Sequence, residues 1–348
     1  MRIALAYNED SPDAPTPGSL SPTDLHTIST AVEQLGHEVL PVEVSGPVGR
    51  IADGLTACRP DLVLDVAEGH RGGMRQLLYP ALLDDLGLPH TGSPAHVLAT
   101  ALDKHLTKLV LRRAGLDTPE WVLLRRPGGA PRGAREADLS ALTPPLIVKP
   151  DAEGWSTGIT QDSVAETPRE ALRTADELLA RYPGGVLVEE FVTGRDMTVG
   201  YLEAADNGHG GALDPMEYVF AAPEDTAGHA VFDQAIKSGR STTSVDRARA
   251  RLPEPVDTAL REAALTAVHA LGCRDFARAD FRLTPDGTPR LLEVNATPTL
   301  RPGRGMAADA PVPGAPALRN IADALLTSAA HRHGLTPDGP HRPDEPGN

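Results

Sequence analysis

Residues 276–298, FARADFRLTPDGTPRLLEVNATP, decide the fold. Two strand-like runs, 276–283 and 290–295, flank Thr-Pro-Asp-Gly-Thr-Pro. Asp-Gly between alternating runs is the strongest short hairpin signal, because both turn residues must reach positive φ. A two-residue turn centred on Asp286 and Gly287 places Arg278 opposite Asn295 and Asp280 opposite Glu293. The two-residue period of a strand then puts all four side chains on one face of the ribbon. Two carboxylates directly across from each other repel unless a cation sits between them. Hard oxygen donors at cross-strand spacing suit Mg²⁺, which takes few protein carboxylates and completes its shell with phosphate and water. The stretch therefore reads as a Mg²⁺-nucleotide site. The plainer alternative is a solvent-facing hairpin with scattered charges.

The chain has 348 residues, enough for two or three domains with their own cores. Aromatics make up only 3%, so the core is expected to be mainly Leu, Val and Ala. A net charge of −15 argues against nucleic acid or an anionic membrane as partner. It leaves phosphate binding open, since that needs only a local cluster of donors. Cys58 and Cys273 fit a reducing compartment and give no disulfide framework. The opening Met-Arg-Ile-Ala-Leu-Ala has only a short apolar run, so neither a signal peptide nor a membrane span is expected, and the expected location is the cytoplasm. Only four of the 33 basic residues are lysine: Lys104, Lys108, Lys149 and Lys237. Where arginine is the default cation, a lysine can mark a place for a compact ammonium against phosphate, although codon bias gives the same count.

From the start of the chain, strands are expected over 2–7, 37–44 and 61–66, with a helix over 23–35 capped by Thr23 or Asp24 and a second helix ending near Cys58. This βαβαβ order implies a parallel sheet. The Pro- and Ser-rich loop 8–22 is long enough to be functional. No G-x-G-x-x-G follows the first strand, so a dinucleotide site is not expected. Glu68-Gly-His-Arg-Gly-Gly follows the third strand, at the edge where such sheets hold ligands. Helices are then expected over 74–86, 103–114, 168–181, 255–271 and 317–330. Strands are expected over 119–124, 146–149, 186–190, 198–203 and 217–221, with a hairpin loop at 207–211. Residues 125–139 read as a surface loop, and 331–348 as a Pro-rich disordered tail.

Glu153-Gly-Trp-Ser-Thr-Gly158 sits just past the strand that carries Lys149. Its glycines let backbone N–H groups approach an anion, and Ser156 and Thr157 add hydroxyl donors. The P-loop order is missing, so the loop alone is also compatible with a simple turn. Val186-Leu-Val-Glu-Glu-Phe-Val192 passes into Glu189-Glu190, whose backbone is suited to reading an adenine edge, with Asp196 placed for a ribose hydroxyl. A buried strand ending at the surface would look the same.

Together these pieces resemble the ATP-grasp superfamily, in its D-alanine–D-alanine ligase-like branch. The matching residues are Leu102-Asp-Lys104 with Thr107-Lys108, Ile147-Val-Lys-Pro150 with Glu153-Gly154 and Gly158, and Val188-Glu-Glu190. They continue with Thr193-Gly-Arg-Asp196, Lys237, Arg278-Ala-Asp280 and Glu293-Val-Asn295. Pro89-His-Thr-Gly-Ser93 also looks like a family segment. The match runs in the family's order from about residue 60 to 300.

The resemblance implies an α/β fold, α+β in its ATP-grasp part, of three subdomains behind a parallel βαβ start. The expected divisions are 1–100, a central lid subdomain 101–185, a metal-bearing subdomain 186–330, and the tail 331–348. It implies ATP and two Mg²⁺ ions as cofactors. Lys104 and Lys149 would hold phosphates, with Glu153, Gly154, Ser156 and Thr157 in the closing phosphate loop. Glu189, Glu190, Phe191 and Val192 would form the adenine hinge, and Asp196 would meet the ribose. Lys237 would reach a phosphate from a mobile loop. Asp280, Glu293 and Asn295 would hold the metals, and Arg278 would stabilise the developing oxyanion. The implied reaction joins a small-molecule carboxylate to an amine through an acyl phosphate, releasing ADP and phosphate, in an enzyme that would be a homodimer.

Departures cluster on the substrate side. The family's opening Gly-Gly-x-Ser-x-Glu loop is replaced by Asn8-Glu-Asp-Ser-Pro, its third-strand His-Gly by Glu68-Gly69, and a substrate-facing Ser by Trp155. After Asn295 the family's Pro-Gly becomes Pro298-Thr299, and Arg301 and Arg304 stand where small polar residues usually meet the product carboxylate. Glu68, Trp155, Thr299, Arg301 and Arg304 are thus the candidate substrate contacts. These departures favour amino-acid or small-peptide substrates of specialised metabolism over the cell-wall D-alanine–D-alanine reaction. A silent ATP-binding regulatory protein is the reading from another class, and an enzyme that stops at the acyl phosphate also remains open.

Overall fold

The computed structural model describes residues 1–10, 18–69, 73–125, 139–221, 231, 233–237, 241, 243–303, 305–307 and 317–335. Most of the expected surface loop 125–139, the middle of loop 8–22, Arg304, the side chain of Lys237 and residues 336–348 lie outside the described residues.

Strand β1 (Arg2–Tyr7) leads through α1 (Pro22–Glu33), β2 (Glu38–Glu43) and α2 (Val48–Ala57) to β3 (Leu62–Asp65). The sheet order is β2-β1-β3, all parallel, as the alternating βα pattern predicts. Every residue of β3 is buried, which explains its unbroken apolar run Leu-Val-Leu before Asp65. The cap of α1 is Ser21 rather than Thr23 or Asp24. Pro22 takes the first helical position, where a missing N–H does no harm, and Asp24 becomes the reciprocal partner of Ser21 in a capping box.

The helix expected over 74–86 is split into a 3₁₀ turn, Gly73–Leu77, and α3 (Leu78–Asp85). Helix α4 (Ala95–Leu102), not anticipated, precedes α5 (Lys104–Arg113), whose N-cap Asp103 accepts from the Leu106 N–H at 2.8 Å. A four-stranded antiparallel sheet follows, built from β4 (Trp121–Leu124), β5 (Leu146–Pro150), β6 (Val164–Ala165) and, after α6 (Pro168–Arg181), β7 (Val186–Glu190). Its order is β4-β7-β5-β6, so the strand at the expected start of the last subdomain is hydrogen-bonded into the central sheet. Ala171, Ala175, Leu178 and Leu179 form the helical stripe that covers this sheet. Each buried leucine there contributes about 1.5–3 kcal/mol.

Strands β8 (Arg195–Leu202) and β9 (Met216–Phe220), helix α7 (Gln234–Lys237), β10 (Val245–Arg249) and α8 (Glu254–Leu271) lead to β11 (Phe276–Leu283) and β12 (Pro289–Asn295). The second antiparallel sheet runs β10-β9-β8-β11-β12 and packs on α8 and α4. In the β11–β12 ladder Arg278 lies opposite Asn295 and Asp280 opposite Glu293, the predicted pairs. The route to that register differs from the prediction. Beyond Asp280 the pairing steps to Phe281–Leu291, leaving Leu292 as a bulge, and the turn spans the three residues 285–287. Only Gly287 has positive φ there (85°), while Asp286 does not, and Asp286 instead accepts from Thr288. One extra turn residue and one bulged residue offset each other, so the pairs nearest the site are unchanged.

Helix α9 (Leu318–Arg332) packs back on the first sheet through Ile321, Leu325 and Ala329. The tail expected from residue 331 therefore begins too early. Arg332 is paired with buried Asp275, and its Nη2 donates to the His90 carbonyl at 2.8 Å, which fixes the helix end.

Candidate active site

A cleft open to solvent, with a cavity volume of about 130 Å³, separates the two antiparallel sheets. Ile147, Lys149, Glu189, Glu190, Phe191 and Val192 line one side, and Asp196, Tyr218, Asp280, Arg282, Leu292 and Glu293 the other, with Ser156 and Val231 over it. The bulge matters here, because it presents both Leu292 and Glu293 to the cleft.

Glu189 occupies the floor. It is 2% exposed and takes the Lys149 ammonium at 2.6 Å and the Lys108 ammonium at 2.9 Å. Burial pushes its carboxyl up, but the two lysines together outweigh this and hold it below the usual range. Lys108 shows the other side of the imbalance. Burial pulls its ammonium down to about 8, against the attraction of a carboxylate it must share. One carboxylate between two ammoniums leaves net positive charge facing the cleft through Lys149, which suits a phosphate. Sequence reasoning singled out Lys108 as a rare lysine but gave it no role. Its Nζ also donates to Thr118 Oγ1 at 2.7 Å.

Lys104 is buried, donates to the Glu153 carbonyl at 2.6 Å and lies 3.9 Å from Glu293. Burial lowers its pKa. It thus ties the start of α5, the loop 153–158 and the hairpin together. Within that loop Trp155 and Ser156 have φ of 58° and 55°, and Thr157 N–H closes on the Gly154 carbonyl at 3.0 Å. Two successive left-handed residues turn the chain sharply after Gly154. Glu190 lies at the cleft edge, where its side chain accepts from the Thr143 N–H at 2.8 Å. Asp196 is paired with Arg282 at 3.1 Å, and the Arg282 guanidinium stacks 5.0 Å from the Phe191 ring. Arg282, two residues from Asp280 on the same face, was legible by period but was not singled out.

The metal-ligand candidates fit the group they were chosen for. Asp280 and Glu293 face one another across the ladder. Their charges are met in this structure by protein cations: Arg278 grips Asp280 with bonds of 2.8 and 2.7 Å, and Lys104 lies beside Glu293. Thr198 Oγ1 also donates to Asp280 at 2.7 Å. Among the described residues no group of three or more His, Cys, Asp or Glu side chains could hold a metal by itself. Two carboxylates and the Asn295 amide oxygen, which accepts from the Thr297 N–H at 3.0 Å, form a sparse oxygen set of the kind Mg²⁺ shares with phosphates.

Of the substrate candidates, Glu68, Trp155 and Thr299 meet. Trp155 Nε1 donates to Glu68 Oε2 at 2.9 Å, and the Thr299 hydroxyl is hydrogen-bonded to the same carboxylate. Burial drives the Glu68 carboxyl up to about 7, while these bonds and the charges of Arg278 and Arg301 restrain the rise. Arg301 itself is paired with Asp24 of α1 at 2.9 Å. Asn8 was read only as part of a loop, yet it positions Glu68: its Oδ1 accepts from the Gly69 N–H at 2.7 Å, and its Nδ2 donates to the Tyr79 hydroxyl at 2.9 Å. Lys237 closes α7, whose N-terminal Asp233 takes Gln161 Nε2 at 2.8 Å. The same Gln161 nitrogen donates to the Val231 carbonyl at 2.9 Å, linking the stretch after the phosphate loop to the segment that carries Lys237.

Comparison with known proteins agrees with this geometry. A family described as "D-ala D-ala ligase C-terminus" matches residues 110–303. The D-alanine–D-alanine ligase of Anaeromyxobacter dehalogenans (strain 2CP-C) is 34% identical over 283 residues, 81% of this chain and 82% of that protein. Among solved structures, the D-alanine–D-alanine ligase of Bacillus anthracis superposes with a TM-score of 0.71 at 20% identity, covering 96% of this chain and 99% of that one. The VanG D-Ala:D-Ser ligase of Enterococcus faecalis superposes at 0.68 with 20% identity, covering 94% and 99%. The last two establish the shared fold. Among the described residues no helix is long and apolar enough to cross a membrane.

Proposed function

Because this chain belongs to the D-alanine–D-alanine ligase family of ATP-grasp, ADP-forming C–N ligases, we propose that it joins D-alanine to D-alanine at the expense of ATP. The relatives favour this reaction over the specialised-metabolite ligase that the sequence departures suggested. The single observation that carries the reading is the opposition of Asp280 and Glu293 on the wall of a cleft floored by Lys149 and Glu189.

In this reading ATP lies in the cleft, its adenine against the hinge 189–192 and its ribose by Asp196. Lys104 and Lys149 hold phosphate oxygens, and the loop 153–158 closes over them. Lys237 approaches from the segment joined to that loop through Gln161. Asp280, Glu293 and Asn295 would hold Mg²⁺, which would supply neutralisation of charge on the transferring phosphoryl group. The first carboxylate attacks the γ-phosphate, giving an acyl phosphate and ADP. The Arg278 guanidinium, held by Asp280, would stabilise the oxyanion that forms as the amine attacks the acyl carbon. Closure by the loops around Trp155 and Lys237 keeps water from the acyl phosphate. A homodimer and a cytoplasmic location accompany this proposal.

A second reading rests on the Trp155–Glu68 bond, which puts an indole and an acid beside the acceptor position and favours an acceptor other than D-alanine. The test is ADP release with D-alanine alone, then with pairs of amino acids, using Glu293→Ala as the control. Turnover with D-alanine alone supports the first reading. Turnover that requires a second, different amino acid supports the other. Tight ATP binding with no ADP release for any carboxylate would instead point to a regulatory protein.

A further inference from the structure

The ligase reading, on which the role inferred for Glu68 rests, has a chemical requirement that the assigned residues leave unmet. An acceptor amino group arrives as an ammonium without a lone pair, and it must lose a proton as the C–N bond forms. Lys104, Lys149 and Arg278 are cations. Asp280 is engaged by Arg278 and Thr198, and Glu293 lies beside Lys104. Both of these acids are assigned to the metal.

Glu68 differs from both. It follows β3 at the carboxyl edge of the parallel sheet, and its hydrogen bonds come from neutral donors, the Trp155 indole at 2.9 Å and the Thr299 hydroxyl. Among the described residues two charged groups face it. Arg278 from β11 is held by Asp280, and Arg301 from the segment after β12 is held by Asp24 of α1. Neither forms an ion pair with it among the described residues. The carboxylate is therefore close to the arginine that faces the acyl carbon, oriented by two donors, and free of a direct charge partner among the described residues.

We propose that Glu68 is the general base of the ligation step, accepting the proton of the acceptor ammonium as its nitrogen attacks the acyl carbon beside Arg278. The N–H bond breaks and its proton passes to the Glu68 carboxylate. The freed pair forms the N–C bond, and the carbonyl pair moves to the oxygen next to Arg278. Return of that pair expels phosphate, and the Glu68 carboxylic acid gives its proton to solvent before the next turnover. The indole N–H and the Thr299 hydroxyl fix which carboxylate lone pair points at the acceptor. Burial that lifts the carboxyl to about 7 gives it the basicity this task needs near neutral pH.

The test compares wild type and Glu68→Gln, which keeps an oxygen acceptor for Trp155 and Thr299. Each full-length enzyme is assayed with one carboxylate and two nucleophiles: an amino acid, and hydroxylamine, which is largely unprotonated at neutral pH and needs no base. The expected result is a loss of about 10²–10⁴-fold in kcat for the amino acid with little change in its KM. Hydroxamate formation should stay within a few-fold of wild type, and the rise of kcat with pH through neutrality should disappear. Equal losses with both nucleophiles would make Glu68 structural and overturn the proposal. So would unchanged amino-acid turnover, or a raised acceptor KM at unchanged kcat, which marks mere ammonium binding. Failure of the underlying ligase reading is separately visible, as a wild-type chain that forms no hydroxamate from any carboxylate with ATP.

Discussion

Replacing Glu189 by Gln removes the one negative charge from the Lys108–Glu189–Lys149 cluster while keeping its shape. The contacts are 2.6 and 2.9 Å, and the three residues are 5%, 2% and 0% exposed for Lys149, Glu189 and Lys108. With an effective dielectric constant near 20, each contact is worth about 6 kcal/mol before desolvation is subtracted. Desolvation consumes much of that, and breaking a buried pair by removing one partner typically costs about 3–5 kcal/mol. Here the loss strands two ammoniums, so the upper end of that range is expected, a large part of an ordinary stability of about 5–15 kcal/mol. Lys108→Met should cost less, about 1–3 kcal/mol, because it leaves a neutral Lys149–Glu189 pair, although Glu189 Oε2, the Thr118 hydroxyl and the Pro119 carbonyl each lose a partner and the Trp121 ring loses its cation. The assay is urea unfolding of both variants at pH 7, followed by signals from both sheets to detect separate transitions. ATP should recover part of the Glu189→Gln deficit, since a phosphate supplies the missing anion. If Lys108→Met proves as costly as Glu189→Gln, packing rather than charge balance governs the cluster and the reasoning fails.

Three further outcomes are expected. Glu68 carries a folded-state pKa raised from 4.5 to about 7, so the native state binds its proton more tightly than the unfolded chain does. Its contribution is fully present below pH 4.5 and is lost as pH rises to about 7; Glu68→Gln should therefore gain stability over wild type with rising pH, by at most about 3 kcal/mol, and a pH-independent difference in denaturant midpoints would contradict the desolvation. Gly194→Ala would drive a Cβ into the Leu283 carbonyl oxygen, so β8 must shift from β11 beside Asp196; a loss of several kcal/mol and weaker ATP binding should appear in melting curves with and without nucleotide. Asp280→Asn should abolish ADP release while titration calorimetry still detects ATP in the absence of Mg²⁺, and full turnover by this variant would remove Asp280 from the metal site.

The hairpin pairs, helix 168–181 and strand 186–190 were legible because each is marked by local chemistry: a Gly-bearing turn, Thr167 with Pro168 at a helix start, and an unbroken apolar run. Helix α4 was not. Ala95–Leu102 is apolar on most sides and follows Ser93-Pro94, so it shows no polar face and begins with a loop signal. Strand β10, Val-Asp-Arg-Ala-Arg, is half-exposed at a sheet edge and lacks a hydrophobic signature. Within the candidate site, period singled out Asp280 and Glu293, and rarity Lys104 and Lys149. The partners of Glu68, Trp155 and Thr299, and the Asn8 that holds neighbouring Gly69, are far apart in sequence, and only folding brings them together.

The bulge at Leu292 lies between the Asp286 turn and the Asp280–Glu293 pair. It uncouples the length of the turn from the alignment of the acids. A chain that loses one turn residue can straighten the bulge and keep the acids opposed, whereas a hairpin without such slack would swing every side chain beyond the change to the other face. Turn length can therefore drift over evolutionary time without disturbing the chemistry above it. The same slack makes the exposed tip at Asp286 a suitable place to insert a fluorescent or affinity tag.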